Sequence, residues 1–280
     1  MNYGFLNGKI APVEKLTLSV SDLGVLRGYG VFDFLKTVNG RPLLWAEHWR
    51  RFQNSAKALG LKIPASEKRA RQLVGQLLKK SGRRPAAEKA DASIRLLLTG
   101  GPSADGLTPV KPSFGILIED IHPWPKKALT HGVKVITHEH LRLVPEAKTT
   151  NYLTAVRLQK EKRRAGAVEI LYTHRGRLLE CSTSNFFLVK NGRLITPKTD
   201  ILYGTTRNLV VALAKATKIP VEEREVMASE LRDADECFLT ATNKNLTPVI
   251  QVDERKINRG EVGPVTRDLA TRLTAVLAKN

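Results

Sequence analysis

A chain of 280 residues with 42% hydrophobic and 26% charged residues has a globular balance, with material for one large domain or two ordinary ones. Its apolar runs, such as 96–98 and 209–213, are far too short to cross a bilayer, and no basic stretch leads into an apolar one at Met1–Gly8, so a cytoplasmic protein is expected. The formal charge of +19 raises nucleic acid as a partner, but the bases are scattered, clustering only at Lys79–Arg84 and Lys160–Arg164 without a zinc, RRM or KH signature, which favours solubility and attraction of anionic substrates instead.

In chain order, Val31–Val38 reads as a strand ending in a turn at Asn39–Gly40. Glu47–Leu59 reads as a helix with Trp49, Phe52, Ala56 and Leu59 on one side and Gly60 as its stop. A second helix is expected over Glu67–Lys80, then strands at Ser93–Thr99 and Phe114–Glu119. Residues 120–127, with Pro123 and Pro125, look like a linker. Beyond it come a strand at Val133–His138, a helix at Asn151–Ala165 closed by Gly166, and strands at Ala167–Thr173 and Leu178–Ser182. Phe186–Lys190 and Arg193–Thr196 form a hairpin about Asn191–Gly192. A helix over Thr206–Lys218 has Thr206 available as its cap, and Cys237–Thr240 is a short strand. The expected class is α+β in two parts, residues 1–119 and 128–280, with the chemistry between them. Cys181 and Cys237 show neither a disulfide framework nor metal-ligand spacing, so two reduced, buried thiols and no metal are expected.

Lys148 stands just before a helix, Glu180 opens the string ECSTSN near a strand end, Gly204–Arg207 leads into a helix N-terminus that suits an anion, and Arg51 lies beside Arg50 on a helix face. Alone, each is bland. Together, HWRRFQNSA (48–56), EAKTTNYL (146–153), GAVEILYTHRGRLLECSTSNFFLVKNGRLITP (166–197), GTTRNLVVALA (204–214), ADECFLTATNKNLTPV (234–249) and GPVTRDL (263–269) resemble, in order, the class IV aminotransferases. That group includes branched-chain and D-amino acid aminotransferases and aminodeoxychorismate lyases. The resemblance covers about residues 20–268. It implies a two-domain fold-type IV enzyme, with a smaller N-terminal α/β sandwich and a larger C-terminal domain of β-barrel-like core, acting as a homodimer with pyridoxal 5′-phosphate (PLP).

The resemblance also implies roles. Lys148 matches the Schiff-base lysine, which then shuttles the proton between substrate Cα and cofactor C4′. Glu180 matches the carboxylate facing the pyridine nitrogen. Arg51 matches the arginine that forks onto the phosphate. Thr206, the backbone at Thr205, and Thr242 match the remaining phosphate donors. Phe32, Ser184, Asn185 and Ala241 are expected beside these groups rather than as direct ligands.

Departures from the family pattern bear on the substrate. The usual Asp-Arg-Gly reads Asp22–Leu23–Gly24, and a different arginine, Arg27, follows. Cys181 replaces a frequent glycine, and a thiol there invites the question of oxidation. Phe32–Asp33–Phe34–Leu35–Lys36 lacks the glycine and arginine of branched-chain enzymes, and Lys148–Thr149–Thr150–Asn151 has the shorter spacing of D-amino acid enzymes and lyases. Thr99–Gly100–Gly101 lacks the arginine that both of those carry. Arg95, on the strand before it, and Arg27, on an early loop that in this family reaches a partner's site, are the candidates to grip a substrate carboxylate. These features favour D-alanine or D-glutamate with 2-oxoglutarate. A branched-chain L-amino acid aminotransferase is the alternative, followed by the lyase. A basic, non-catalytic binding protein is disfavoured because Lys148 and Glu180 are both present.

Overall fold

The computed structural model describes residues 1–83 and 90–279. Arg84, the end of the first basic cluster, lies outside them. The chain divides into two compact units, Met1–His122 with Ala147–Tyr152, and Pro123–Glu146 with Leu153–Lys279. The chain passes from one unit to the other at His122–Pro123, and the segment carrying Lys148 belongs to the first unit.

In the first unit, β1 (Tyr3–Leu6), β2 (Lys9–Pro12), β3 (Gly30–Val38), β4 (Arg41–Pro42), β5 (Ser93–Thr99) and β6 (Ser113–Glu119) form one sheet in the order β2-β1-β6-β5-β3-β4. Its helices are α1 (Leu23–Arg27), α2 (Trp45–Ala58) and α3 (Glu67–Lys80). Side chains alternate across β3. Val31 and Leu35 are buried in one core with Trp49 and Phe52 of α2, Leu73 and Leu77 of α3, and Ile94 and Leu96 of β5. Phe32 and Phe34 take the other parity and stay half-buried. Ser66 caps α3 by accepting the Arg69 amide, and Gly60, at φ 65°, ends the turn after α2.

The second unit contains α4 (Lys126–His131), β7 (Val133–Glu139), α5 (Leu153–Arg157), α6 (Gln159–Arg164), β8 (Glu169–His174), β9 (Arg177–Cys181), β10 (Asn185–Lys190), β11 (Arg193–Pro197), α7 (Thr205–Ala216), β12 (Val221–Arg224), β13 (Val226–Met227), β14 (Glu236–Ala241), β15 (Asn245–Val252), β16 (Arg255–Lys256) and α8 (Pro264–Lys279). Its sheet runs β12-β11-β10-β14-β15-β7-β8-β9-β13, with β16 on β15. The edge strands β12 and β13 are separated by Glu225 alone, so the sheet curls back on itself like a barrel. Adjacent residues on β10 and β14 feed different cores. Phe186 and Leu239 pack with Val133, Leu171 and Val249. Phe187 and Phe238 stack at 4.8 Å and pack with Val210 of α7 and Leu269 and Leu273 of α8. Each such side chain contributes about 1.5–3 kcal/mol of burial.

Two expectations are corrected. The single helix over Asn151–Ala165 is two short helices, because Asn151 and Tyr152 stay outside the helix and the run breaks at Leu158. Thr206 does not cap α7. Gly204 is the N-cap, with no side-chain cap bond, and Thr205 and Thr206 form the first turn. Both cysteines are free and buried, as expected. Among the described residues, no helix is long and apolar enough to cross a membrane, and no group of His, Cys, Asp or Glu is placed to hold a metal.

Candidate active site

In the first unit, Lys148 lies on a short extended segment beside β3. Thr149 bridges to Val31, the Phe32 amide donates to the Lys148 carbonyl at 2.9 Å, and the Thr150 amide donates to the Gly30 carbonyl at 2.8 Å. The Lys148 amide donates to Ser55 Oγ at 3.0 Å. The backbone of Lys148 is therefore fixed through both its N–H and its C=O. Its Nζ lies 4.7 Å from the centre of the Phe32 ring. Tyr152 meets that ring edge-on at 5.7 Å. Tyr152 is absent from the expected site residues, although along an extended segment Lys148, Thr150 and Tyr152 share a face.

Arg95 lies on the same sheet face, its guanidinium 5.7 Å from the Phe32 ring and 5.5 Å from the Phe34 ring. It also pairs with Glu119 at 3.0 Å. It is not an edge residue, because β5 runs between β3 and β6. Arg27 sits exposed at the end of α1 and donates to the neighbouring Leu26 carbonyl. Among the contacts described, none brings it to Lys148.

Arg51 projects from α2 onto Asp33 of β3. Its Nε and Nη2 donate to the two carboxylate oxygens, each at 2.8 Å. His48, one helical turn earlier, places Nδ1 2.7 Å from Asp33 Oδ1. Burial alone would raise the Asp33 pKa, but the charges of Arg51 and His48 and their hydrogen bonds outweigh it and hold the carboxyl well below its ordinary range. Burial also pushes His48 down, towards the neutral ring. With Asp33 acting as acceptor, the His48 proton belongs on Nδ1, so the 3.2 Å approach of Arg51 Nη2 to that atom is a contact and not a hydrogen bond. The sequence alone assigns no role to Asp33 or His48, although His48 opens the string that carries Arg51. For Asp33 the signal is a carboxylate at an inward position of an alternating strand, which demands a cationic partner.

In the second unit, Glu180 is buried near the end of β9 and is surrounded by donors. Arg142 Nη2 pairs with Oε1, the Leu202 amide donates to Oε1 at 3.0 Å, and Asn185 Nδ2 donates to Oε2 at 3.3 Å. Asn185 thus holds Glu180 directly, and its Nδ2 also reaches the Leu202 carbonyl at 2.6 Å. Arg142 had no signal in sequence, being one of 46 basic residues. Ser184 instead donates to the buried Glu169 at 2.8 Å. Cys181 is buried, and burial followed by the nearby Glu169 charge pushes its pKa up, away from the reactive thiolate.

The start of α7 is tightly packed. A Cβ on Gly204 would lie 2.2 Å from Asn185 Oδ1. Thr205 and Thr206 are buried in the first turn of this twelve-residue helix, where backbone N–H groups point toward the helix start and the N-cap Gly204 supplies no side-chain cap. Thr242 occupies the turn after β14, following Ala241, and is half-buried. The first unit offers a lysine amine and an arginine, and the second a buried carboxylate and a helix start with hydroxyls. By their chemistry these groups suit an aldehyde-bearing aromatic ring with a basic nitrogen and a phosphate.

Comparison with known proteins gives the family. The family described as Amino-transferase class IV matches residues 30–252. A putative branched-chain-amino-acid aminotransferase of Methanocaldococcus jannaschii is 34% identical, over 98% of this chain and 96% of its own length. A D-alanine aminotransferase of Listeria monocytogenes is 30% identical, over 94% and 92%. A branched-chain amino acid aminotransferase of T.th., solved with pyridoxamine 5′-phosphate, superposes with a TM-score of 0.88 at 27% identity, covering 99% of this chain and 94% of that one. A family match over residues 30–252 and a 34% identical relative aligned along nearly the whole chain make this protein a member of the class IV aminotransferases.

Proposed function

We propose that this enzyme uses PLP to move an amino group from a D-amino acid, D-alanine or D-glutamate, to 2-oxoglutarate in two alternating half-reactions. PLP supplies an aldehyde and an electron-withdrawing ring that stabilises negative charge at the substrate Cα. The chain's own residues do the rest. Lys148 would hold the cofactor through its amine and would carry the proton at the substrate Cα. Glu180, held by Arg142 and Asn185, sets a negative charge opposite the ring nitrogen. Arg51, oriented by Asp33, joins the Thr205 amide, Thr206 and Thr242 in holding the phosphate. Phe32 walls the lysine, and Ala241 leads into the Thr242 turn.

The D preference rests on the short Lys148–Thr149–Thr150–Asn151 spacing; the observation that supports a carboxylate clamp is the Phe32 ring, which has Lys148 on it at 4.7 Å and Arg95 against it at 5.7 Å. A small acid reacting at Lys148 is then within one ring of a guanidinium able to take its carboxylate. Phe34 fills the position where branched-chain enzymes tend to have glycine. Arg27, exposed among apolar side chains on α1, is the second carboxylate ligand, supplied to the site of a partner copy in a homodimer. The second reading is a branched-chain L-amino acid substrate, favoured by the name of the 34% relative and by the apolar rings of Phe32 and Phe34.

The test is a half-reaction panel with D-alanine, D-glutamate, L-leucine and L-glutamate, following loss of the visible cofactor band at ~410–420 nm. Turnover of the D-substrates supports the proposal; turnover of L-leucine alone selects the second reading. Arg95→Ala and Arg27→Ala should each raise KM for 2-oxoglutarate about tenfold or more while leaving the band in place. Unchanged kinetics in both variants would remove the carboxylate clamp.

A further inference from the structure

The second unit contains a buried charge pair outside the groups assigned above. Glu169, at the start of β8, is 1% exposed, and Lys244, at the end of the turn between β14 and β15, is 6% exposed. Lys244 Nζ pairs with Glu169 Oε1. The same carboxylate accepts the hydroxyls of Ser182, Thr183 and Ser184. The ammonium also lies 2.6 Å from Thr183 Oγ1, 3.2 Å from Ser184 Oγ and 5.2 Å from the centre of the Trp124 ring. Burial would raise the Glu169 pKa, but Lys244 and the hydroxyls override it and lower it to about 2.

The pair joins two turns. The 182–184 turn begins two residues after Glu180, and the Cys181 amide closes it onto the Ser184 carbonyl at 2.7 Å. The other turn contains Thr242. There Lys244 donates its amide to the Ala241 carbonyl at 3.2 Å and accepts from Thr247 Oγ1 at 2.8 Å. Lys244 is therefore held at its backbone in the Thr242 turn and at its side chain in the turn behind Glu180. A buried ion pair adds little net stability over a well-packed apolar pair, so a geometric role is the better reason for its presence.

We infer that the Glu169–Lys244 pair is a strut that sets the Thr242 turn at a fixed distance from Glu180, making Lys244 a positioning residue for the cofactor phosphate. This rests on the reading above that Glu180 faces the ring nitrogen and Thr242 the phosphate. Glu180 and Thr242 then address opposite ends of one rigid molecule. Glu180 is held independently by Arg142, Asn185 and the Leu202 amide, so loss of the strut frees the Thr242 turn and loosens the phosphate contact first.

The experiment compares PLP with pyridoxal, which has the same ring and aldehyde but no phosphate. Removing one charge strands the other, so Glu169→Gln and Lys244→Met are made together. Dissociation constants are read from the visible band, alongside thermal unfolding of the cofactor-free protein. The PLP constant should rise at least about tenfold, as when supporting residues around a bound group are lost, with that for pyridoxal changing less than about twofold. An equal loss for both ligands, or no loss for either, would overturn the strut. Should the double variant fail to fold, Thr183→Val removes one hydroxyl shared by both charges and should lower the PLP-over-pyridoxal preference in the same direction. An unchanged preference there overturns the proposal. A wild-type protein that forms no borohydride-sensitive band with PLP would instead refute the PLP reading on which the strut depends.

Discussion

Asp33 orients two neighbouring side chains, Arg51 and His48, from a buried position on β3. Its carboxylate is fully buried, accepts both forks of Arg51 and fixes the His48 proton on Nδ1. Because its folded pKa lies below the ordinary value near 3.8, its contribution to stability is present above that value and is lost as pH falls below it, where the unfolded chain takes up the proton first. Asp33→Asn keeps the shape and deletes the charge. It should destabilise the protein by roughly 3 kcal/mol at neutral pH, the scale for breaking a buried pair on one side. The gap from wild type should narrow steadily below pH ~3.8. Urea unfolding at pH 7 and pH 3 measures both; a gap independent of pH would mean that the charge is not what Asp33 contributes.

At the scale of elements, periodic patterns are legible and long-range pairings are not. The spacing of Trp49, Phe52 and Ala56 marks α2 to within two residues at each end, and Asn191–Gly192 places the hairpin of β10 and β11. The strand β15 is not anticipated, because Pro248 within it reads as a breaker, yet it sits opposite Phe238 in the ladder. α8 is also missed, although Leu269 and Leu273 recur at helical spacing behind Pro264. Lys148, Glu180 and Arg51 stand out through the order of their strings, whereas Arg142 and Lys244 acquire meaning only when the fold brings them to Glu180 and Glu169. The N-terminus of α7 is the element where local sequence and site meet most closely. Gly204 has an ordinary φ of −66°, so alanine there is not strained in backbone, only in space. Its Cβ would press on Asn185 Oδ1 and move the amide that holds Glu180 and the Leu202 carbonyl. Gly204→Ala should weaken PLP binding about tenfold or more, with a smaller effect on the helix itself. PLP titration together with circular dichroism separates the two, and normal PLP affinity would show that Asn185 yields without consequence.

For the molecule as a whole, charge and exposed apolar surface pull in opposite directions. The first unit leaves Val25 and Leu26 of α1 57% and 41% exposed, and Leu107 and Val110 on the loop after β5 are exposed at 72% and 77%. Leu26 and Arg27 both lie against Gly106 of that loop, so the apolar side chains and the candidate carboxylate ligand share one surface. Such a surface favours association. The formal charge of +19 opposes it, since two copies repel. If the homodimer forms through this face, its affinity should increase with salt, because screening shortens the reach of the repulsion to about 10 Å at 0.1 M while leaving the apolar contact intact. Leu26→Asp should then shift the sedimenting species to a monomer. That monomer should still bind PLP through its own Lys148, Glu180 and Arg51, yet show a raised KM for 2-oxoglutarate, matching Arg27→Ala, because Arg27 would have no neighbouring site to enter. Sedimentation across protein concentration and salt, combined with the two kinetic measurements, tests the linkage. A wild type that stays monomeric, or a Leu26→Asp monomer with unchanged KM, would place Arg27 outside the reaction.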